Sequence, residues 1–292
     1  MAQNYVFMTD SDSDLLYSIA DEKNISVVRM PYILDGQEFF DDNGRAGVEK
    51  EFFDKMRAGA SASTSLLTKE AYLEYFDPIL KENDLLFIAF SSEMSSTIHN
   101  IYAAREELLE KYPGRKFMVV DTLSISMPMS LLVLKAHEMY RAGKPMEEVA
   151  QWVEDNKMRC HGVFTVDDLK YLKRGGRISS TAALMGTMLD LKPVLVEGRN
   201  GKIMAAEKVQ GRKKALRTVA ERTAELIENP EEQTLYIIHA DALEDAQRLE
   251  GLIRKSVPNI GNIVINFIGP VIGAHCGPGT VASCFMGKER TI

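Results

Sequence analysis

The chain has few cysteines, no long apolar stretch and none of the common catalytic signatures, and each absence narrows its function. The three cysteines, Cys160, Cys276 and Cys284, have no C-x-x-C spacing, so we expect reduced thiols and a cytoplasmic protein. No run of about 18 apolar residues occurs, so we expect no membrane-spanning helix. The first residues lack the basic start and long apolar stretch of a signal peptide.

Charge and motif content exclude further classes. Lys and Arg number 35 against 42 Asp and Glu, and the net charge of −7 argues against a nucleic-acid partner. The sequence lacks a G-x-G-x-x-G dinucleotide fingerprint and a G-x-S-x-G nucleophile elbow, and its five histidines share no zinc-type spacing. We therefore expect no metal and no cofactor.

An acidic cluster near the start, Asp10-Ser-Asp-Ser-Asp14, suggests a metal-binding loop. The calcium-loop pattern fails, because the glycine and the glutamate that it requires further along are missing. We expect instead a loop and helix N-cap in which the carboxylates meet the dipole of the following helix.

Hydrophobic patterning divides the chain into two parts. The first alternates apolar runs with amphipathic helices, which predicts an α/β domain with a parallel sheet over residues 1–156. In the second part, Gly198-Arg-Asn-Gly201 between two apolar runs predicts a hairpin, preceded by a helix over Ile178 to Leu189. We therefore expect residues 157–292 to form an α+β domain with a mixed sheet, and we place the boundary near Asn156.

The segment Phe267 to Thr280 contains four glycines, two prolines and one side chain that titrates near neutral pH, His275. This composition argues against a helix or a smooth strand, because glycine leaves the backbone unrestrained and proline removes a donor. It indicates a backbone that approaches a ligand closely. The alternative is a turn with a hydrogen-bonded histidine.

Hydroxyl-rich loops offer further anion contacts. Ser92, Ser95 and Ser96 follow a buried strand, at the sheet edge where open α/β sheets bind ligands. Thr64 and Ser65 end a small-residue loop ahead of a helix. Hydroxyls beside helix N-termini suit a single carboxylate. The alternative is that these side chains only cap helices.

These segments resemble the DegV family, and the resemblance covers the whole chain. The residues that carry it are Thr9-Asp-Ser11, Thr64-Ser65, Ser91 to Thr97, Leu169 to Ser179, Leu191-Lys-Pro193, His239-Ala240 and His275-Cys-Gly-Pro-Gly279. The resemblance implies a two-domain α/β fold with a long-chain fatty acid in the cleft between the domains. It also implies the lipid-presenting subunit of a bacterial fatty acid kinase, whose separate kinase subunit phosphorylates the carboxylate with ATP.

The resemblance also assigns roles to single residues. The head-group contacts would be Thr64, Ser95 and His275, with Ser65 and Ser92 as further candidates. His275 would add a donor, and a positive charge if protonated.

The basic Gly-rich stretch with Arg174 and Arg177 would dock the kinase, unless it only complements a helix dipole. Three places depart from the family pattern: Ser96 stands for glycine, Leu66-Leu67 for a more polar pair, and Gln210 for arginine. The expected partners are thus a fatty acid and a kinase. Transient contact with a membrane surface is also compatible with this interpretation.

A different class of function stays open. The chain could be an enzyme acting on a small carboxylate or phosphoryl substrate, with His275 as general acid or base. An enzyme of this kind needs a nucleophile and base side by side, and the sequence reveals no such pair. The non-catalytic carrier is therefore the preferred interpretation.

Overall fold

The computed structural model describes residues 5–178 and 191–292. The helix predicted over Ile178 to Leu189 falls outside these ranges, except for Ile178, which forms an isolated bridge with Ile203. In chain order the first part contains β1 (Tyr5–Asp10), α1 (Tyr17–Lys23), β2 (Ser26–Val28), β3 (Pro31–Leu34), β4 (Gln37–Phe40), α2 (Glu49–Arg57), β5 (Ala62–Thr64), α3 (Lys69–Leu80), β6 (Asp84–Ala89), α4 (Thr97–Lys111), β7 (Phe117–Asp121), α5 (Ser126–Arg141) and α6 (Met146–Asn156).

The second part of the chain follows α6. It contains β8 (Cys160–Thr165), α7 (Lys170–Arg174), β9 (Leu191–Glu197), β10 (Ile203–Gln210), α8 (Arg212–Leu226), β11 (Thr234–His239), α9 (Leu243–Ser256), β12 (Asn262–Phe267), α10 (Pro270–Cys276) and β13 (Val281–Met286).

A parallel sheet forms the centre of the first part, in the order β2-β1-β6-β7. Strand β6 indicates that helices cover both faces of this parallel sheet. Its residues Leu85 to Ile88 have no solvent exposure, and such a continuous apolar run is typical of strands with helices on both sides. A small antiparallel sheet, β4-β3-β5, was not predicted; its strands are only three or four residues long.

A mixed sheet forms the second part, in the order β10-β9-β8-β13-β11-β12. All neighbouring pairs are antiparallel except β11 and β12. The predicted hairpin is confirmed, with Ile203 opposite Glu197 across the turn. The predicted fold class, an α/β part with a parallel sheet and a second part with a mixed sheet, is therefore confirmed.

The two faces of the mixed sheet have different partners, because successive side chains of a strand point to opposite faces. In β13, Val281 and Phe285 pack in the core that contains residues of α8 and α9, whereas Ala282 and Cys284 belong to the core shared with the first part. The boundary near Asn156 stays a proposal. It coincides with the end of α6, ahead of β8, which is the first strand of the mixed sheet.

The segment around His275 corrects one prediction. Pro270 to Cys276 form helix α10, although the composition argued against a helix. Pro270 occupies the first turn, where its missing N–H needs no partner, and Gly277 ends the helix with a φ of 76°. Only Gly273 weakens the interior.

The acidic cluster Asp10 to Asp14 corrects a second prediction, that its carboxylates meet the start of the following helix. Ser11 to Ser13 form a 3₁₀ turn, and α1 begins only at Tyr17, without a side-chain cap. The carboxylates therefore do not cap the next helix. Within residues 5–178 and 191–292, no helix is long and apolar enough to cross a membrane.

Candidate functional site

A cavity lies between the parallel sheet and the mixed sheet. It contains about 900 Å³ of space free of protein atoms, counting its opening to solvent. The first part of the chain contributes residues that follow strands, such as Phe90 and Met94, and the second part contributes residues within strands, such as Phe164, Ile238 and Ala282. Most of the wall is apolar, and the polar side chains are concentrated at particular places.

At one of these places, the side chains of Thr64 and His275 are in contact. Thr64 is the last residue of β5 and pairs with Tyr32 of β3, while His275 lies in the last turn of α10. The Thr64 hydroxyl oxygen and His275 Nε2 are 2.9 Å apart, and both residues line the cavity. The structure thus brings together two of the three residues that the resemblance assigned to the head group.

The ring of His275 is uncharged at neutral pH. Burial, and then the positive charges of Arg177 and Arg174, lower the pKa of His275 to about 4. Gly175 leaves room for the ring, since a Cβ there would lie 2.4 Å from His275 Nδ1. The positive charge considered for this histidine is therefore absent, and its ring acts as a neutral hydrogen-bonding group.

Two buried aspartates hold the start of α10. The backbone N–H of Gly269 donates to Asp14 Oδ1 at 2.8 Å, and that of Val271 donates to Asp41 Oδ2 at 3.4 Å. Ser126 Oγ donates to the other oxygen of Asp14. The carboxyl group of Asp14 does meet a helix N-terminus, but that of a helix more than 250 residues away along the chain. This arrangement fixes the helix that carries His275.

The predicted serines occupy different positions. Ser95 lines the cavity, and its hydroxyl accepts a hydrogen bond from the N–H of Thr97 at 3.3 Å, so it also serves the start of α4. Ser65 lines the cavity and donates to Glu38 at 3.0 Å. Ser92 is not among the lining residues, and its backbone N–H donates to Asp121 at 3.2 Å.

Of the places that depart from the family pattern, Ser96 and Gln210 lie on the surface, whereas Leu66 lines the cavity. Ser96 and Gln210 are both exposed, and neither is among the residues that line the cavity. The extra hydroxyl of Ser96 therefore does not enter the site.

The two arginines proposed for docking also differ. Arg174 is exposed, and its guanidinium donates to the carbonyl of Ala62 at 3.0 Å. Arg177 is half-buried and lines the cavity, and its Nε donates to the carbonyl of Met94 at 3.0 Å. Arg177 is therefore part of the cavity wall, and only Arg174 presents its charge mainly to solvent.

Sequence reasoning missed Asp12. This residue is only 4% exposed, lines the cavity, and its Oδ1 has no hydrogen-bond partner in the described part of the chain. Burial, and then the neighbouring carboxylates of Asp10, Asp41 and Asp14, raise the pKa of Asp12 well above its ordinary value of 3.8, against the opposing charge of Arg177. A signal existed in the acidic cluster, but its burial depends on packing between distant segments.

The Thr64–His275 pair has the geometry of a nucleophile beside a base. A catalytic base is normally oriented by a third group and has a pKa near the working pH. His275 Nδ1 has no hydrogen-bond partner among residues 5–178 and 191–292, and a pKa of about 4 makes the ring a weak base. The same ranges contain no group of three or more His, Cys, Asp or Glu suited to a metal ion. The pair is better suited to hydrogen-bonding an anionic group.

A comparison with known protein families finds a match over nearly the whole chain. A family model described as "Uncharacterised protein, DegV family" matches residues 5–288. A DegV domain-containing protein of Clostridium perfringens is 40% identical over 289 residues, which cover 99% of both chains.

Solved structures agree with this match. A fatty-acid-binding DegV family protein of Thermus thermophilus is 29% identical, with a TM-score of 0.84 over 98% of this chain and 100% of the other. A fatty-acid-binding DegV family protein of Streptococcus agalactiae is 27% identical, with a TM-score of 0.82 over 99% and 100%.

Proposed function

The chain belongs to the DegV family, and on this premise we propose that it binds one long-chain fatty acid in the cavity between its sheets. The observation that carries the proposal is the division of the cavity wall. Most of the wall is apolar, while Thr64 and His275 form a hydrogen-bonded polar pair at one place on it. A ligand with a long apolar tail and a single polar head matches this division.

The carboxylate of the fatty acid lies at the Thr64–His275 pair in this proposal. Thr64 and Ser95 donate their hydroxyl hydrogens to the carboxylate oxygens, and the neutral ring of His275 donates its single N–H, from Nε2, to the Thr64 oxygen, which leaves the Thr64 hydrogen free for the carboxylate. Arg177 adds a positive charge in the same wall, and Asp12 in its protonated form adds an O–H donor. Ser65 is a secondary contact, and Ser92 has no role in the head-group site.

The acyl tail supplies most of the affinity. Each buried methylene contributes about 0.8 kcal/mol, so a long tail outweighs any single head-group hydrogen bond, which contributes about 1 kcal/mol net. Met30 and Met94 belong to the wall, and their flexible side chains adapt to tails of different shape. The head-group residues then mainly orient the carboxylate.

We further propose that the protein presents the carboxylate to a separate kinase subunit instead of acting on it. Leu66 beside the head-group site is 45% exposed, and Arg174 lies on the neighbouring surface. An exposed apolar residue next to an exposed cation is a suitable contact for a protein partner. The three cysteines are buried and unpaired, which is compatible with a cytoplasmic location.

Displacement of a fluorescent fatty acid tests the binding proposal. The protein is stripped of lipid, loaded with cis-parinaric acid and titrated with saturated and unsaturated acids. Competition by long-chain acids at concentrations at least several-fold lower than the corresponding alcohols need supports a carboxylate site, because the alcohols keep the tail but lose the carboxylate contacts. Equal competition by acids and alcohols contradicts the assigned head-group contacts.

A further inference from the structure

The register of the mixed sheet gives the cavity a direction. Ala282 of β13 lies opposite Phe164 of β8, and two residues later Cys284 lies opposite Gly162. These four residues line the cavity, and the two rows are about 7 Å apart because a strand advances about 3.4 Å per residue. His275 and Thr280 precede β13 in the chain, so the row of Ala282 is nearer the head-group site and the row of Cys284 is further from it.

A buried ion pair closes the far end. Glu197 stands at the end of β9 and lines the cavity, and its carboxylate pairs with the guanidinium of Arg290. The two residues are 5% and 3% exposed. In the next row of the sheet, Cys160 lies opposite Met286, and neither lines the cavity. Among the described residues, the open space thus ends at the row of Gly162 and Cys284.

The ion pair has its hydrogen-bonding partners within the protein. Glu197 Oε1 accepts from the N–H of Ile125 at 3.1 Å, and Oε2 accepts from Ser124 Oγ at 2.9 Å as well as from Arg290. Arg290 also donates to the carbonyls of Cys160 and Leu123 at 2.9 and 2.8 Å. The pair therefore has little capacity left for a second polar ligand group. A tail that displaced it would leave a buried charge unpaired.

We propose that Gly162, Cys284 and the Glu197–Arg290 pair form the wall against which the acyl tail ends, so that these residues determine the preferred chain length. This inference rests on the proposed function. Gly162 is the most sensitive position. A Cβ there would lie 3.0 Å from Pro128 Cγ and 3.7 Å from Glu197 Cδ, so an added methyl group occupies space beside this wall.

Two substitutions change the wall in opposite directions without removing the ion pair. Gly162→Ala adds one carbon, and Cys284→Ala removes one sulfur from the opposite strand. We expect Gly162→Ala to shift the preferred acid to a chain shorter by about one carbon, and Cys284→Ala to one longer by about one carbon, since each change corresponds to about one methylene group. Val163→Ala is the control, because Val163 is fully buried in the other core of the sheet.

The experiment loads lipid-free protein from an equimolar mixture of saturated acids and quantifies the retained acids by mass spectrometry. Opposite shifts in the two variants, with Val163→Ala matching the wild type, support the inference. The inference is wrong if the wild type and the three variants all bind fatty acids and retain the same distribution of chain lengths. A wild type that retains no acid overturns the proposed function itself, so the two failures are distinct. If Gly162→Ala fails to fold, Cys284→Ala alone still tests the direction of the shift.

Discussion

The hydroxyl oxygen of Thr64 lies 2.9 Å from His275 Nε2, although 211 residues separate the two along the chain. The contact joins β5 of the small sheet to α10, which leads into the mixed sheet. The polar end of the cavity therefore exists only when both parts of the chain are packed against each other. We therefore expect head-group binding and folding of the interface to be coupled.

Removing the Thr64 hydroxyl tests the head-group assignment. Thr64→Val keeps the branched shape, but it removes one donor to the carboxylate and the partner of His275. We expect the free energy of fatty acid binding to weaken by about 1 to 3 kcal/mol, or roughly 5- to 150-fold in Kd. Ser63→Ala is the matched control, because Ser63 is the exposed neighbour in the same strand. Equal Kd values for Thr64→Val and the control would remove Thr64 from the site.

We predict that the ring of His275 can pack as observed only with a glycine at position 175. Its backbone is in an ordinary helical conformation, with φ −73° and ψ −9°, so alanine is compatible with the chain itself. The added Cβ would nevertheless lie 2.4 Å from His275 Nδ1. Gly175→Ala should therefore lower the free energy of unfolding by about 1 to 3 kcal/mol, as overpacking usually does.

A double-mutant cycle isolates this contact. In the His275→Ala background the ring is absent, so Gly175→Ala should cost much less than in the wild type. Denaturant unfolding of the four proteins measures the coupling. An unchanged cost in both backgrounds would show that the glycine serves some other neighbour.

The buried carboxyl of Asp14 gives a pH dependence with a definite sign. Burial raises the pKa of Asp14 from its ordinary 3.8 to about 8. Between about pH 4 and 8 the folded state keeps a proton that the unfolded chain has lost, so the contribution of Asp14 to stability declines as the pH rises.

Asp14→Asn has no such proton to lose. Asparagine can still accept from the N–H of Gly269 and can donate to Ser126. From pH 5 to pH 8 we expect its free energy of unfolding to rise relative to the wild type by about 1 to 3 kcal/mol. Asp155→Asn, at an exposed position, controls for the loss of one negative charge. A difference from the wild type that is constant with pH would show that Asp14 is ionised throughout.

Arg174 is predicted to contact the kinase. Arg174→Glu should slow phosphorylation of the bound fatty acid by the cognate kinase with ATP, while the amount of bound acid stays unchanged. Lys135→Glu makes the same charge reversal on an exposed part of α5 and should have no effect. Arg177 is unsuitable for this test because it lines the cavity, so its substitution also alters lipid binding. Equal rates for both variants would place the docking surface elsewhere.

Local signals predicted the regular parts of the fold. The apolar run of β6 and the Asn-Gly turn between β9 and β10 each depend on neighbouring residues, and both appear as predicted. Helix α10 was missed, because its composition obscured a proline at the start and a glycine just beyond the end, both normal at helix termini.

The arrangement of the site depends on contacts that no local pattern contains. The link from Asp14 to the start of α10, the burial of Asp12 and the closing pair of Glu197 and Arg290 all join segments far apart in the chain. Thr64, Ser95 and His275 were selected through a family resemblance. Their roles stay predictions, although Thr64 and His275 are in contact and all three line one cavity.

Native mass spectrometry of the purified protein, with extraction and identification of its ligand, tests the central claim most directly. We predict one long-chain fatty acid per chain, either retained from expression or taken up when acids are added to the lipid-free protein. A protein that is empty and also takes up no added fatty acid would contradict the account. It would leave the cavity to a small carboxylate or phosphoryl compound instead.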